Sequence, residues 1–203
     1  MVEKKRIGIL GGTFNPVHIG HLVLAENAYA QFHLDHVMIL PTKNPPHKQN
    51  QDILGDDHRV AMLNRAIREV PYFRLSIIEL DRSGTSYTSE TLEYLKKSYP
   101  DTDFYFIMGA DSLYNIESWK DPDIIMKCAY LLVATRDFTS DEQLSKHINY
   151  LKMKYKASIY KISVPNIELS SELIRHRVQA NDTIKYFVPQ AVEEYIYENE
   201  LFK

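Results

Sequence analysis

The stretch GGTFNPVHIGHL, residues 11–22, sets two glycines, a proline and two histidines directly behind a short apolar run. It matches neither the dinucleotide fingerprint G-x-G-x-x-G nor the phosphate loop G-x-x-x-x-G-K-[ST]. Its ingredients nevertheless suit an anion. Gly11 and Gly12 let the backbone pass close to a ligand, and the first amides of a following helix favour negative charge. His18 and His21, three residues apart, fall on one helix face and can reach the same group. A tight turn with two ordinary helix histidines uses the same residues, but their combination behind a first strand favours binding. Two histidines without an acidic or cysteine partner nearby in sequence make a weak zinc site.

Other chemistry lies where loops follow strands. In LSSELIRHR, residues 169–177, Ser170 and Ser171 can cap a helix whose amides face an anion, and Arg175 carries a fork suited to phosphate. Lys43 and His47 sit on the long loop PTKNPPHK, which reads as a cationic lid or as a plain surface loop. Thr85 and Tyr87 belong to SGTSYT, either a recognition turn or a cap for the next helix. Gly109 and Asp111 follow the strand FYFIM, where glycine permits close approach and the aspartate could simply cap a helix. Trp119, the single tryptophan, offers a stacking face or serves as local core.

These residues need a scaffold, and the apolar pattern describes one. Strands are predicted at 6–10, 36–40, 75–80, 104–108, 130–134 and 158–163, of which FYFIM and YLLVA are apolar on both faces. Helices are predicted at 19–33, 56–70, from Thr88 or Ser89 to the stop at Pro100, after Asp121-Pro122, at 140–155 with a Ser140/Gln143 capping box, at 171–180 and at 189–199. Such alternation implies an α/β fold: a doubly wound, Rossmann-like parallel sheet with helices on both faces and a helical C-terminus. Ligands of such sheets bind beyond the carboxyl ends of the strands. Neither repeat nor linker divides the chain, so 1–203 reads as a single domain, with its C-terminal helical part from about 165.

Bulk properties exclude several classes. The formal net charge of −3 argues against a nucleic-acid binder, which needs a dense basic face. The run Ile7–Leu10 falls short of the ~7–15 apolar residues of a signal peptide, and no stretch approaches the ~20 that span a bilayer. The chain is expected to be cytoplasmic and to bind no membrane. Cys128, the only cysteine, reads as a buried structural thiol of a reducing compartment.

The tetrad His18-Ile19-Gly20-His21 resembles the H-x-G-H signature of the nucleotidyltransferase superfamily, and LSSELIRHR resembles its I-S-S-T-x-I-R element. PTKNPPHK, SGTSYT and GADSLYNIESW, in that order along nearly the whole chain, resemble the nicotinate-nucleotide adenylyltransferase family. That resemblance implies transfer of an adenylyl group from ATP to nicotinate mononucleotide, giving deamido-NAD and pyrophosphate. It implies His18 and His21 as catalytic, and Gly11, Gly12, Thr13, Phe14, Lys43, His47, Gly109, Asp111, Ser170, Ser171 and Arg175 around ATP. It implies Thr85, Tyr87 and Trp119 around the mononucleotide. Mg²⁺ is expected on the ATP phosphates rather than on protein side chains, and a homodimer is among the assemblies the family allows. Nicotinamide mononucleotide or another phosphorylated acceptor, or a catalytically silent nucleotide sensor of the same fold, stay open as alternatives. The chain departs from the family at Asn15, commonly aspartate, and at Leu169 and Glu172, commonly isoleucine and threonine; Glu172 is expected to point away from phosphate.

Overall fold

The computed structural model describes residues 4–43, 53–82, 84–135 and 142–203. Six strands form one sheet: β1 (Lys5–Gly12), β2 (His36–Pro41), β3 (Phe73–Leu75), β4 (Thr102–Gly109), β5 (Tyr130–Thr135) and β6 (Ile159–Ser163). All pair in parallel in the order β3-β2-β1-β4-β5-β6. The direction of winding reverses between β1 and β4, so their carboxyl ends open a crevice there. Residues 11 and 12 at the end of β1 pair with Leu40 and Pro41.

Strand residues alternate between two cores, as the period of two requires. Leu10, Ile107 and Leu132 enter one core, whereas Ile9, Phe106 and Leu131 enter the other. Helices α1 (Ile19–Phe32), α2 (Asp56–Ile67), α7 (Ser171–Gln179) and α8 (Gln190–Glu198) close the first core with Ala25, Met62, Ile174 and Val192. The second is closed by α3 (Thr88–Ser98), α4 (Ala110–Tyr114), α5 (Pro122–Cys128) and α6 (Glu142–Tyr155), through Leu92, Leu113, Ile125 and Ile148. Pro122 opens α5 at its first turn, and α3 ends before Pro100. Among the described residues, no helix is long and apolar enough to cross a membrane.

The strand expected at 75–80 is instead the short β3, displaced toward its start. Ser76 makes the last bond to β2, and Leu80 and Asp81 then donate to the Ile77 carbonyl in a turn. Beyond that point the neighbouring strand reaches Pro41, which has no N–H to extend a ladder. Helix α2 begins one residue earlier than a cap at Asp56 implies, Gly55 being the N-cap and Asp56 the first helical residue. Helix α4 and a 3-10 turn at Ile116–Ser118 occupy a stretch with no predicted element. Cys128 is half-buried rather than buried, and burial raises its thiol pKa. The expected cap Ser140 lies outside the described residues.

Ile174 is fully buried and seats α7 on the sheet. Ile174→Ala is expected to lower stability by about 2–5 kcal/mol through lost burial and the cavity left behind, measured by urea unfolding at constant m-value.

Candidate active site

The chain leaves β1 through a turn in which Phe14 adopts φ 50°, a conformation that costs a non-glycine residue energy and concentrates at functional sites. The Phe14 ring is buried and meets the His21 ring edge-on, with centroids 4.9 Å apart. His18 is the N-cap of α1 in extended backbone, so it stands before the helix rather than on its face as predicted. The two imidazoles still come together, with centroids 3.7 Å apart and planes tilted by 31°.

The backbone N–H of His18 donates to Nδ1 of His21 at 3.2 Å. An accepting Nδ1 fixes neutral His21 as the Nε2–H tautomer, with its proton on the opposite side of the ring. His18 is 6% exposed, and its Nδ1 is buried without a hydrogen-bond partner among the described residues. Burial lowers its pKa from 6.5 to about 4, because desolvation penalises the imidazolium. Gly20 suits this packing: a Cβ there would stand 3.0 Å from His18 Nδ1 and 3.1 Å from Cε1, so the imidazole would have to give by a few tenths of an ångström.

Helix α7 approaches the same turn from the far end of the chain. Ser170 caps it by accepting from the Leu173 amide at 3.1 Å. Ser171 Oγ donates to the Pro16 carbonyl at 2.8 Å, across 155 residues of sequence, and Arg175 Nη1 donates to the Asn15 carbonyl at 3.0 Å. Residues 171 and 175 lie one turn apart on one helix face. Glu172 is exposed beside His176, 3.8 Å away, and points away from the turn.

Beneath the turn lies a fully buried arginine, Arg59. Its guanidinium donates to the carbonyls of Thr13 and Thr42, each at 2.8 Å, and of Leu54 at 3.2 Å, and it pairs with Asp56. The carbonyls of residues 13, 15 and 16 are thereby all engaged by donors. Asn15 is itself 4% exposed, and its Oδ1 accepts from the Leu54 amide at 3.1 Å. An amide performs that task without placing a carboxylate in a buried position.

Above the turn a cavity of about 610 Å³ opens at the carboxyl edge of the sheet. Gly11, Gly12, Thr13, Phe14 and His21 line it from the β1 side, and Ser171 and Arg175 from α7. Its other end is aromatic, with Tyr87, Phe106 and Trp119; the half-buried indole stands edge-on to Phe106 at 6.3 Å. Thirteen-to-sixteen turn, α7 and this aromatic end thus share one space. His18, Thr85, Gly109, Asp111 and Ser170 sit beside the cavity in sequence or packing without lining it. Lys43 Nζ is drawn to the carbonyls of Leu80 and Arg82, at 2.7 and 3.0 Å. His47 lies outside the described residues.

Sequence reading passed over Arg59, Glu79, Ser86 and Lys120. For Arg59 a signal existed: it stands at helical spacing with Leu63 and Ile67 on the buried face of α2. Glu79 gave none, since it occupies the alternating segment misread as strand. Lys120 Nζ pairs with Glu90 at 2.6 Å and lies 4.4 Å from the centroid of the Tyr87 ring.

Fold and site together define a nucleotidyltransferase-type domain, and the cytidylyltransferase-like family model matches residues 9–177. The chain is 43% identical over 198 residues to a probable nicotinate-nucleotide adenylyltransferase of Lachnoclostridium phytofermentans, covering 98% of this chain and 99% of that one. A protein of the same description from Thermoanaerobacter sp. is 40% identical over 204 residues, covering 100% and 97%. The chain belongs to the nicotinate-nucleotide adenylyltransferase family. The fold matches the Plasmodium falciparum nicotinic acid mononucleotide adenylyltransferase complexed with NaAD, at a TM-score of 0.77 and 21% identity over 98% of this chain and 97% of that one.

The His18 environment makes a pH prediction. The unfolded chain takes up this proton near pH 6.5 and the fold only near pH 4, so the folded state binds fewer protons between those values. Stability should therefore increase as pH rises through that window and be lost as pH falls through it, by roughly 3 kcal/mol at the lower end from this residue. Ring-proton NMR should show His18 neutral at pH 5.5; titration near 6.5 would contradict the buried placement.

Proposed function

We propose that the chain transfers the adenylyl group of ATP to nicotinate mononucleotide, forming deamido-NAD and releasing pyrophosphate, as a step of NAD biosynthesis. The observation that carries this reading is the union of the H-x-G-H turn and α7 around one cavity with an aromatic far end. Homologues of this description over the whole chain support the choice of acceptor, and the packing of α7 and α8 on the same core as α1 supports one domain over 1–203.

In the reaction, an oxygen of the mononucleotide phosphate attacks the α-phosphorus of ATP. The bond from that phosphorus to the bridging oxygen breaks, and pyrophosphate leaves with the electron pair. Catalysis of this kind rests on positioning and on donors aimed at developing charge. His21 offers its Nε2–H, and Arg175 a guanidinium, from the walls of the cavity. His18 is neutral at pH 7 and acts beside His21, its ring packed on that imidazole and its backbone N–H holding His21 Nδ1. The amides of Gly11 to Phe14 and the serines 170 and 171 surround the triphosphate, with Lys43, Gly109 and Asp111 at its periphery. Tyr87 and Trp119, with Thr85 nearby, receive the flat pyridine ring.

Mg²⁺ enters on the ATP phosphates, held mainly by phosphate and water oxygens. The reading requires no protein cage for it; among the described residues, no three or more His, Cys, Asp or Glu side chains converge on a common point.

Incubation with MgATP and either nicotinate or nicotinamide mononucleotide tests the assignment: kcat/KM should favour nicotinate, with pyrophosphate appearing only when acceptor is present. Equal rates, or no product from either, defeat it. His21→Ala should slow turnover by about 10²–10³ if its donor acts on the transition state, while near-normal turnover removes it from the catalytic residues. Chelation of Mg²⁺ by EDTA should abolish product and its restoration should return it.

A further inference from the structure

Glu79 is a carboxylic acid lining a cavity meant for two anions, and it is 5% exposed. Such a group costs free energy to bury unless its oxygens are hydrogen-bonded. Thr91 Oγ1 donates to Glu79 Oε1 at 2.8 Å, and the Ser86 hydroxyl lies close enough to the carboxyl to pull its pKa down. Both hydroxyls are engaged on their other side as well. Arg82 Nη1 donates to Thr91 Oγ1 at 3.2 Å, and the Lys43 amide donates to Ser86 Oγ at 3.4 Å. A hydroxyl has one proton; with an N–H donor on one side of each, that proton goes to Glu79. Burial raises the Glu79 pKa while the two hydroxyls and the Arg82 charge pull it back.

The chain of bonds joins three segments that otherwise have no common element: the end of β2, the 79–82 turn, and the 84–91 stretch that opens α3. Ser86, Tyr87, Thr88 and Thr91 all face the cavity from that last stretch. Gly84 turns there with φ 94°, a shape that must be held by contacts rather than by regular backbone pairing. Lys43 adds to the hold through the Leu80 and Arg82 carbonyls.

We propose that Glu79 is a positioning residue for the acceptor: its carboxylate holds Ser86 and Thr91, and so fixes the 84–91 stretch in the form that receives the mononucleotide. The inference rests on the functional reading above. A carboxylate suits the task because it is acceptor-only and can take both hydroxyl protons at once. With Oε1 turned toward Thr91, that part of its charge is directed into the protein rather than at an incoming anion.

The test uses the full-length protein and two readouts. Amide hydrogen exchange reports positioning without any substrate: Glu79→Ala should lose protection within 84–91 and leave β1 and α7 unchanged. Quenching of Trp119, the single tryptophan and a lining residue, reports nicotinate mononucleotide affinity, alongside steady-state kinetics. Glu79→Ala should raise Kd and KM for the mononucleotide about tenfold, the size of one or two lost hydrogen bonds, with KM for ATP unchanged. Glu79→Gln keeps an acceptor for Thr91 and should restore most of the affinity; Thr91→Val, which removes the hydroxyl donor and leaves the carboxylate in the chain, should weaken it by about threefold. Unchanged exchange in 84–91 overturns the proposal, as does an equal rise in KM for ATP. A Gln variant as weak as the Ala variant overturns it in favour of direct charge contact with substrate. A wild-type protein that neither binds nor adenylylates nicotinate mononucleotide overturns the functional reading, and with it the acceptor half of the proposal, while the exchange result still decides the positioning half.

Discussion

A turn that is to receive phosphate cannot present its own carbonyl oxygens to it, and three carbonyls of the 13–16 turn are held by side-chain donors from elsewhere. Arg59 takes the first, Arg175 and Ser171 the other two. Much of the architecture follows from that need. Arg175 and Ser171 can reach only if α7 lies over the β1 turn, which its buried Ile174 and Val178 secure against the core shared with α1, α2 and α8. Arg59 can reach only from the inner face of α2, where its charge is tolerated because every direction of the fork finds an acceptor. Helix α7 is therefore part of the site, although it follows the last strand of the sheet.

The histidine pair shows the same economy at shorter range. Packing the His18 ring against His21 and the Phe14 turn removes it from water, which favours its neutral form. The fold then uses one ring's Nδ1 to accept a backbone amide and leaves the other ring's Nδ1 without a partner. A buried polar atom left in that condition, near a residue at φ 50° and a glycine where a methyl group would press on the imidazole, is a concentration of local cost. Such costs collect where function, rather than stability, sets the geometry.

The architecture was readable because β1, β4 and β5 are apolar on both faces and the intervening helices carry regular apolar spacing. The same pattern logic failed at 75–80, where alternating residues form a turn once Pro41 ends the neighbouring ladder. It also missed α4, which is too short to show a period. The two motifs were readable by residue type, but not the way they meet: no spacing rule says that Arg175 donates to the Asn15 carbonyl. Asn15 looked like a departure and is a buried acceptor for the Leu54 amide. Lys43 looked like a cation for phosphate because a lysine on a loop has no stated partner, whereas here two carbonyls claim it.

That last point bears on how a chain of net charge −3 can hold two anionic substrates. The cations around the cavity are not a diffuse positive patch: Arg59, Lys43 and Arg175 each donate to carbonyls, and Lys120 pairs with Glu90. In water an isolated charge at several ångströms is worth little, while a donor held in place in a dry cavity is worth much more. The site thus relies on oriented groups rather than on summed charge. For the same reason a buried carboxylate at Glu79 is compatible with it, provided that carboxylate is itself fully oriented. Net charge and composition carry no information about a site built in this way.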